Sequence, residues 1–100
     1  MKLSALQRYI LLECLNARAI RIARGNLGKF YVNKKNKPSQ LLMTKIITKS
    51  IERLINRELM VGFGERTAHK WFIKEIQLTA KGKRETKKLL GEQVKLPLKN

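Results

Sequence analysis

Apolar residues recur at two different periods along this chain, and the switches between them divide it into elements. Ser4 precedes Leu6, Tyr9, Ile10, Cys14 and Ala17, which fall three and four apart, so residues 4–17 are expected as an amphipathic helix with Ser4 at its N-cap. Arg18 to Arg24 alternate basic and apolar, the period of a short, half-buried edge strand. Leu27, Phe30 and Tyr31 return to helical spacing, although Gly25 and Gly28 weaken a helix there. The stretch KKNKPSQ carries turn signals, and its Pro38 and Ser39 are placed to open the longest helix, 39–59. That helix has an apolar stripe of Leu42/Met43, Ile46/Ile47, Ile51, Leu54/Ile55 and Leu59, with Lys45, Thr48, Lys49, Glu52, Arg53 and Asn56 on the other side. Val61 and Phe63, then Phe72, Ile76 and Leu78, read as the two strands of a hairpin over 60–78 with the polar tip GERTAH. Thr79 is placed to cap a last helix that Gly91 ends. Residues 1–91 are thus expected as one domain, followed by a basic tail, 92–100, without a clear period.

Composition adds a core and a partner class. One hundred residues with 43% apolar content can bury one core. Lys and Arg outnumber Asp and Glu by 23 to 7, a formal charge of +16. So dense a positive field costs stability by self-repulsion unless a polyanion relieves it, which points first to nucleic acid and second to an acidic surface. The charge is spread: residues 1–33, 34–59 and 80–100 each carry about +5 and residues 60–79 about +1.

Catalytic and metal chemistry find little support. The chain has no aspartate, and its only His and only Cys, His69 and Cys14, stand 55 positions apart. No Cys/His cluster has metal-ligand spacing and no phosphate-binding glycine motif occurs, so neither an enzyme nor a cofactor is expected. Cys14 reads as a small buried hydrophobe in a reducing compartment. No run approaches the roughly 18 apolar residues that cross a bilayer, and the N-terminal apolar run is broken by Gln7, Arg8 and Glu13; a soluble, cytoplasmic protein is expected.

The order helix, strand, helix, long helix, hairpin, helix resembles a winged helix-turn-helix domain, an α+β, mainly helical fold. Two local signatures resemble MarR-type regulators: Arg53-Leu54 near the end of the long helix, and Leu78-Thr79-Ala80-Lys81-Gly82 where the returning strand opens the last helix. Two departures accompany them. Glu58 stands where such regulators usually have a glycine ending the recognition helix, and the tip GERTAHK lacks their usual acidic-then-basic order.

The resemblance implies a double-stranded DNA-binding transcriptional regulator that reads the major groove with helix 39–59 and meets the backbone with hairpin 60–78. Candidate groove contacts are Thr44, Lys45, Thr48, Lys49 and Arg53, since Arg and Lys favour guanine edges and phosphates. Lys34, Lys35 and Lys37 in the preceding turn, and Arg66, His69 and Lys70 at the tip, are candidate backbone contacts. Glu52 would repel phosphate unless it pairs with Lys49 or Arg53 or accepts from cytosine. Trp71 reads as packing before base stacking. Leu89 and Leu90 are free for the core or a second subunit, and a homodimer through the first or last helix would double the DNA site. An RNA-binding or ribosome-associated protein is the alternative reading, since small basic ribosomal proteins share the winged architecture.

Overall fold

A computed structural model describes residues 2–17, 20–32 and 34–95, with side chains described to residue 91. The elements follow the expected order: α1 (Ala5–Asn16), β1 (Ile22–Ala23), a 3-10 helix (Arg24–Tyr31), α2 (Gln40–Asn56), β2 (Met60–Arg66), β3 (Trp71–Leu78) and α3 (Ala80–Lys95). The strands form one antiparallel sheet in the order β1-β3-β2, so β1 is an edge, as its brevity suggests. Arg18 and Ala19, the first two residues of the alternating stretch that suggested this strand, lie outside the described residues, as does residue 96 onward.

All three expected caps are in place. Ser4 accepts from the Gln7 amide, and the Gln7 side chain accepts from the Ser4 amide, closing a capping box on α1. Ser39 accepts from the Leu42 amide to start α2. Thr79 accepts from the Gly82 amide to start α3. The core then forms from Leu6, Ile10 and Leu11 of α1, Leu27 of the 3-10 helix, Ile47, Ile51 and Leu54 of α2, Met60 of β2, and Ile73, Ile76 and Leu78 of β3.

Four boundaries or registers differ from the sequence reading, the first three for physical reasons the structure shows. The second helical stretch is 3-10, with Leu27 buried and Phe30 and Tyr31 half-buried, in keeping with the weak α-helix propensity of its two glycines. Helix α2 ends at Asn56, not 59, because Glu58 adopts φ 64°, the left-handed conformation. The Leu59 amide donates to the Leu54 carbonyl at 3.0 Å and the Glu58 amide to the Ile55 carbonyl at 2.9 Å. This is a Schellman stop with Glu58 in the glycine position, and Leu54 and Leu59, both fully buried, make its apolar contact.

The hairpin's inward residues also change. A bulge at Phe63/Gly64 pairs Phe63 with Glu75 but Gly64 with Ile73, leaving Lys74 as the extra residue. One extra residue inverts the strand's alternation. Ile73 is therefore buried beside Ile76 and Leu78, and Phe72, expected inward, is 46% exposed. On β2 the buried residue is Met60, which follows directly from the buried Leu59, while Val61 turns outward. Gly64 permits the bulge, since a Cβ there would strike the Phe72 carbonyl. Finally, α3 continues through Gly91 to Lys95.

The N-terminus of α3 seats directly on the chain leaving α2. The Thr79 amide donates to the Leu59 carbonyl at 3.1 Å, and the Thr79 hydroxyl donates to the Glu58 carbonyl at 2.6 Å. A Cβ at Gly82 would collide with that same Leu59 carbonyl. The Leu-Thr-x-x-Gly signature thus has a structural meaning: Thr79 caps the helix and Gly82 lets it approach.

Two substitutions test this junction. Glu58→Gly removes the left-handed strain and is expected to stabilise the fold by about 0.5–1 kcal/mol in urea titration. Gly82→Ala is expected to destabilise it by about 2 kcal/mol, because the colliding atom is backbone and cannot swing aside.

Candidate nucleic-acid interface

Burial of Ile47, Ile51 and Leu54 sets the rotation of α2 about its axis. Lys45, Lys49 and Arg53, four residues apart, therefore form one exposed row on the opposite side. Among the described residues the ion pairs are Arg21–Glu75, Lys74–Glu65 and Lys88–Glu85. None involves a cation of α2. Glu52 is exposed and pairs with neither Lys49 nor Arg53. The row is thus a line of three charges with uncommitted donors.

Thr44 and Thr48 do not share that row. Both are half-buried on the flank of α2 that faces the 3-10 helix. The Thr44 hydroxyl donates to the Gln40 carbonyl of its own helix at 3.0 Å. Thr48 Oγ accepts from an Arg24 guanidinium nitrogen at 3.0 Å. That bond is a finding the sequence did not offer: it holds a half-buried guanidinium at the seam between the 3-10 helix and α2. Arg24 and Lys29 also line a groove of about 460 Å³ along this seam, whose other walls include Gly25, Gly28, Gln40 and Thr44.

Lys34, Lys35 and Lys37 are exposed in the connection that leads to the Ser39 cap. Lys34 lies 4.7 Å from the centre of the Phe30 ring, a cation–π contact that keeps its ammonium near the 3-10 helix. The three lysines therefore precede the first turn of α2, apart from the row that begins at Lys45.

At the hairpin the turn is tighter than the sequence suggested. Thr67 to Lys70 make a four-residue tip, closed by Thr67 N–H to the Lys70 carbonyl at 2.7 Å and by Lys70 N–H to Thr67 Oγ at 3.0 Å. Arg66 lies 4.6 Å from the Trp71 ring centre and Lys70 lies 5.1 Å from that of Phe72. The two rings thus carry the tip cations, with Lys70 on the outward Phe72. His69 is exposed beside them. Trp71 itself is half-buried over Gly62, where an added Cβ would meet both its ring and Ile55, so its role is packing.

The remaining reactive side chain is Cys14, which lies in a cleft of about 230 Å³ with Leu15, Ile20 and Leu78. Burial, reinforced by the Glu13 charge, pushes its thiol up to about 12. A thiol so raised holds its proton at neutral pH, although Cys14 is half-buried and not the fully buried hydrophobe expected. Among the described residues no group of three or more His, Cys, Asp or Glu gathers as a metal would need.

No family model and no curated protein matches the sequence. Among solved structures, the chain is similar to a double mutant of Lactococcus lactis ZitR, with TM-score 0.64 and 19% identity over 95% of this chain and 56% of that one. It is also similar to the adhesin competence repressor AdcR from Streptococcus pyogenes, with TM-score 0.58 and 17% identity over 95% of this chain and 63% of that one. The same ZitR mutant in apo form gives TM-score 0.62 at 17% identity, over 93% of this chain and 60% of that one. At such identities the likeness is one of fold, and the fold is a winged helix-turn-helix with α2 as its second helix and β2–β3 as its wing. The chain spans 56–63% of the length of those proteins.

The burial of Cys14 yields a chemical check. Iodoacetamide at pH 8 is expected to alkylate the folded protein at least about tenfold more slowly than the urea-unfolded chain, because the thiolate is the reactive form. The sign of the linked stability follows: the folded thiol holds its proton more tightly, so this contribution is complete below about pH 9 and is lost as pH rises toward 12.

Proposed function

We propose that this chain is a double-stranded DNA-binding regulator of the MarR-like type, with α2 entering the major groove and the hairpin tip lying against the phosphate backbone. The observation that carries it is the exposed row Lys45, Lys49, Arg53, unpaired among the described residues, on the second helix of a winged helix-turn-helix. A duplex answers both features at once. Its groove admits a helix, and its phosphates relieve a chain of charge +16.

In this reading Arg66, Lys70 and His69 approach the backbone beside the groove, and Lys34, Lys35 and Lys37 meet phosphates ahead of the first turn of α2. Thr44 and Thr48 act at the seam, where Thr48 orients Arg24 toward the same strand. Two copies paired through the first or last helix would present two α2 rods to successive turns of the duplex. The wing cations stay close to their rings, so they can meet phosphate with little loss of side-chain freedom.

Fluorescence anisotropy on a labelled random-sequence duplex tests the reading. Affinity is expected to fall steeply with salt, with about 0.9 logarithmic units of slope for each phosphate met. The double variant Lys45→Glu/Lys49→Glu is expected to bind at least about 100-fold more weakly and with a slope shallower by about two. Duplex RNA should compete less well than DNA, because its deep, narrow major groove does not admit the helix. Absence of duplex binding at low salt, or indifference to the charge reversal, would rule the reading out.

A further inference from the structure

Helix α2 exposes two leucines that its own core stripe does not need. Leu41 is 68% and Leu42 48% exposed, although the spacing of apolar residues assigns Leu42 to the buried side. The packing there is supplied by Ile46 and Ile47, with Met43 half-buried. Both leucines lie in the first turn after the Ser39 cap. Lys45 is four residues after Leu41 and three after Leu42, and Lys49 is seven after Leu42, so the leucines continue the cationic row toward the helix N-terminus.

An occupant of this surface must accept apolar groups and ammonium groups side by side. A protein partner that covered the leucines with apolar side chains would also desolvate Lys45 and Lys49, at a cost it would have to recover with acids of its own. A duplex meets both demands without that cost. Its phosphates flank the groove and answer the lysines, while its floor offers one apolar group, the C5-methyl of thymine.

We propose that Leu41 and Leu42 determine specificity by contacting thymine methyl groups, so that the target carries thymines where the first turn of α2 enters the groove. This rests on the DNA-binding reading above and adds to it the kind of base that is read. Lys45 and Lys49 position the turn through phosphates and the two leucines discriminate.

The test begins by selecting a high-affinity duplex from a random pool with the wild-type protein, then replacing each thymine singly by deoxyuridine, which deletes only the methyl group. At one or two positions the wild type is expected to lose about fourfold in affinity, the value of one buried methyl. Leu41→Ala/Leu42→Ala is expected to be insensitive to the same replacements, and to lose the thymine preference on reselection. Its circular dichroism melt should not fall, since alanine is at least as good a helix former and neither leucine is buried. Affinity within about twofold at every deoxyuridine position, or unchanged sensitivity in the leucine variant, would overturn the proposal while leaving DNA binding intact. Failure of the wild type to enrich any duplex would overturn both.

Discussion

The rotation of α2 about its own axis is the constraint on which the rest of the molecule depends. Ile47, Ile51 and Leu54 are driven into the core because water disfavours them, and three buried residues spaced four and three apart leave the rod no freedom to turn. Every property of the outward side follows. Lys45, Lys49 and Arg53 align, Thr44 and Thr48 fall on the flank, and Leu41 and Leu42 are carried into solvent at the leading turn. A helix rotated by one position would bury Glu52 in one direction or Arg53, a member of the row, in the other. That would cost far more than the exposure of two leucines.

The second constraint is made by backbone, not by side chains. The left-handed Glu58 turns the chain sharply out of α2, the Leu59 carbonyl then receives the Thr79 amide, and Gly82 allows α3 to rest on that carbonyl. Lys81 adds a bond from its ammonium to the Arg57 carbonyl at 3.3 Å. The hairpin is thereby anchored at both of its ends within a few residues of the C-terminus of α2. The wing does not need a core of its own; its base is held by this junction, and only its tip is free to be polar.

Much of this was legible in the residues, and the exceptions have common causes. Caps were readable because Ser4, Ser39 and Thr79 announce a local hydrogen bond that needs no tertiary context. The core stripe of α2 was readable from Ile47 to Leu54 because its period persists. It failed at Leu42, since periodicity alone does not say where the neighbouring element stops covering a helix. Phe72 was misplaced because a bulge shifts parity by one and leaves no mark but Gly64. The end of α2 was misread because Glu58 takes a conformation that its side chain disfavours, and long-range bonds from Thr79 accompany it. Arg24 and Thr48 are 24 residues apart, so their bond had no sequence signal at all.

At the site, the row on α2 was legible as a set of charges, and the structure adds that these charges are unpaired among the described residues. It separates the two threonines from them and ties Arg66 and Lys70 to aromatic rings. In the proposed function, α2 and the tip act together on one duplex. Backbone amide spectra recorded while a selected duplex is titrated in test this most directly. The largest shifts should fall on residues 40–53 and 66–70, with α1 and residues 80–91 little changed. Shifts concentrated on α1 and α3 instead, with α2 silent, would contradict it.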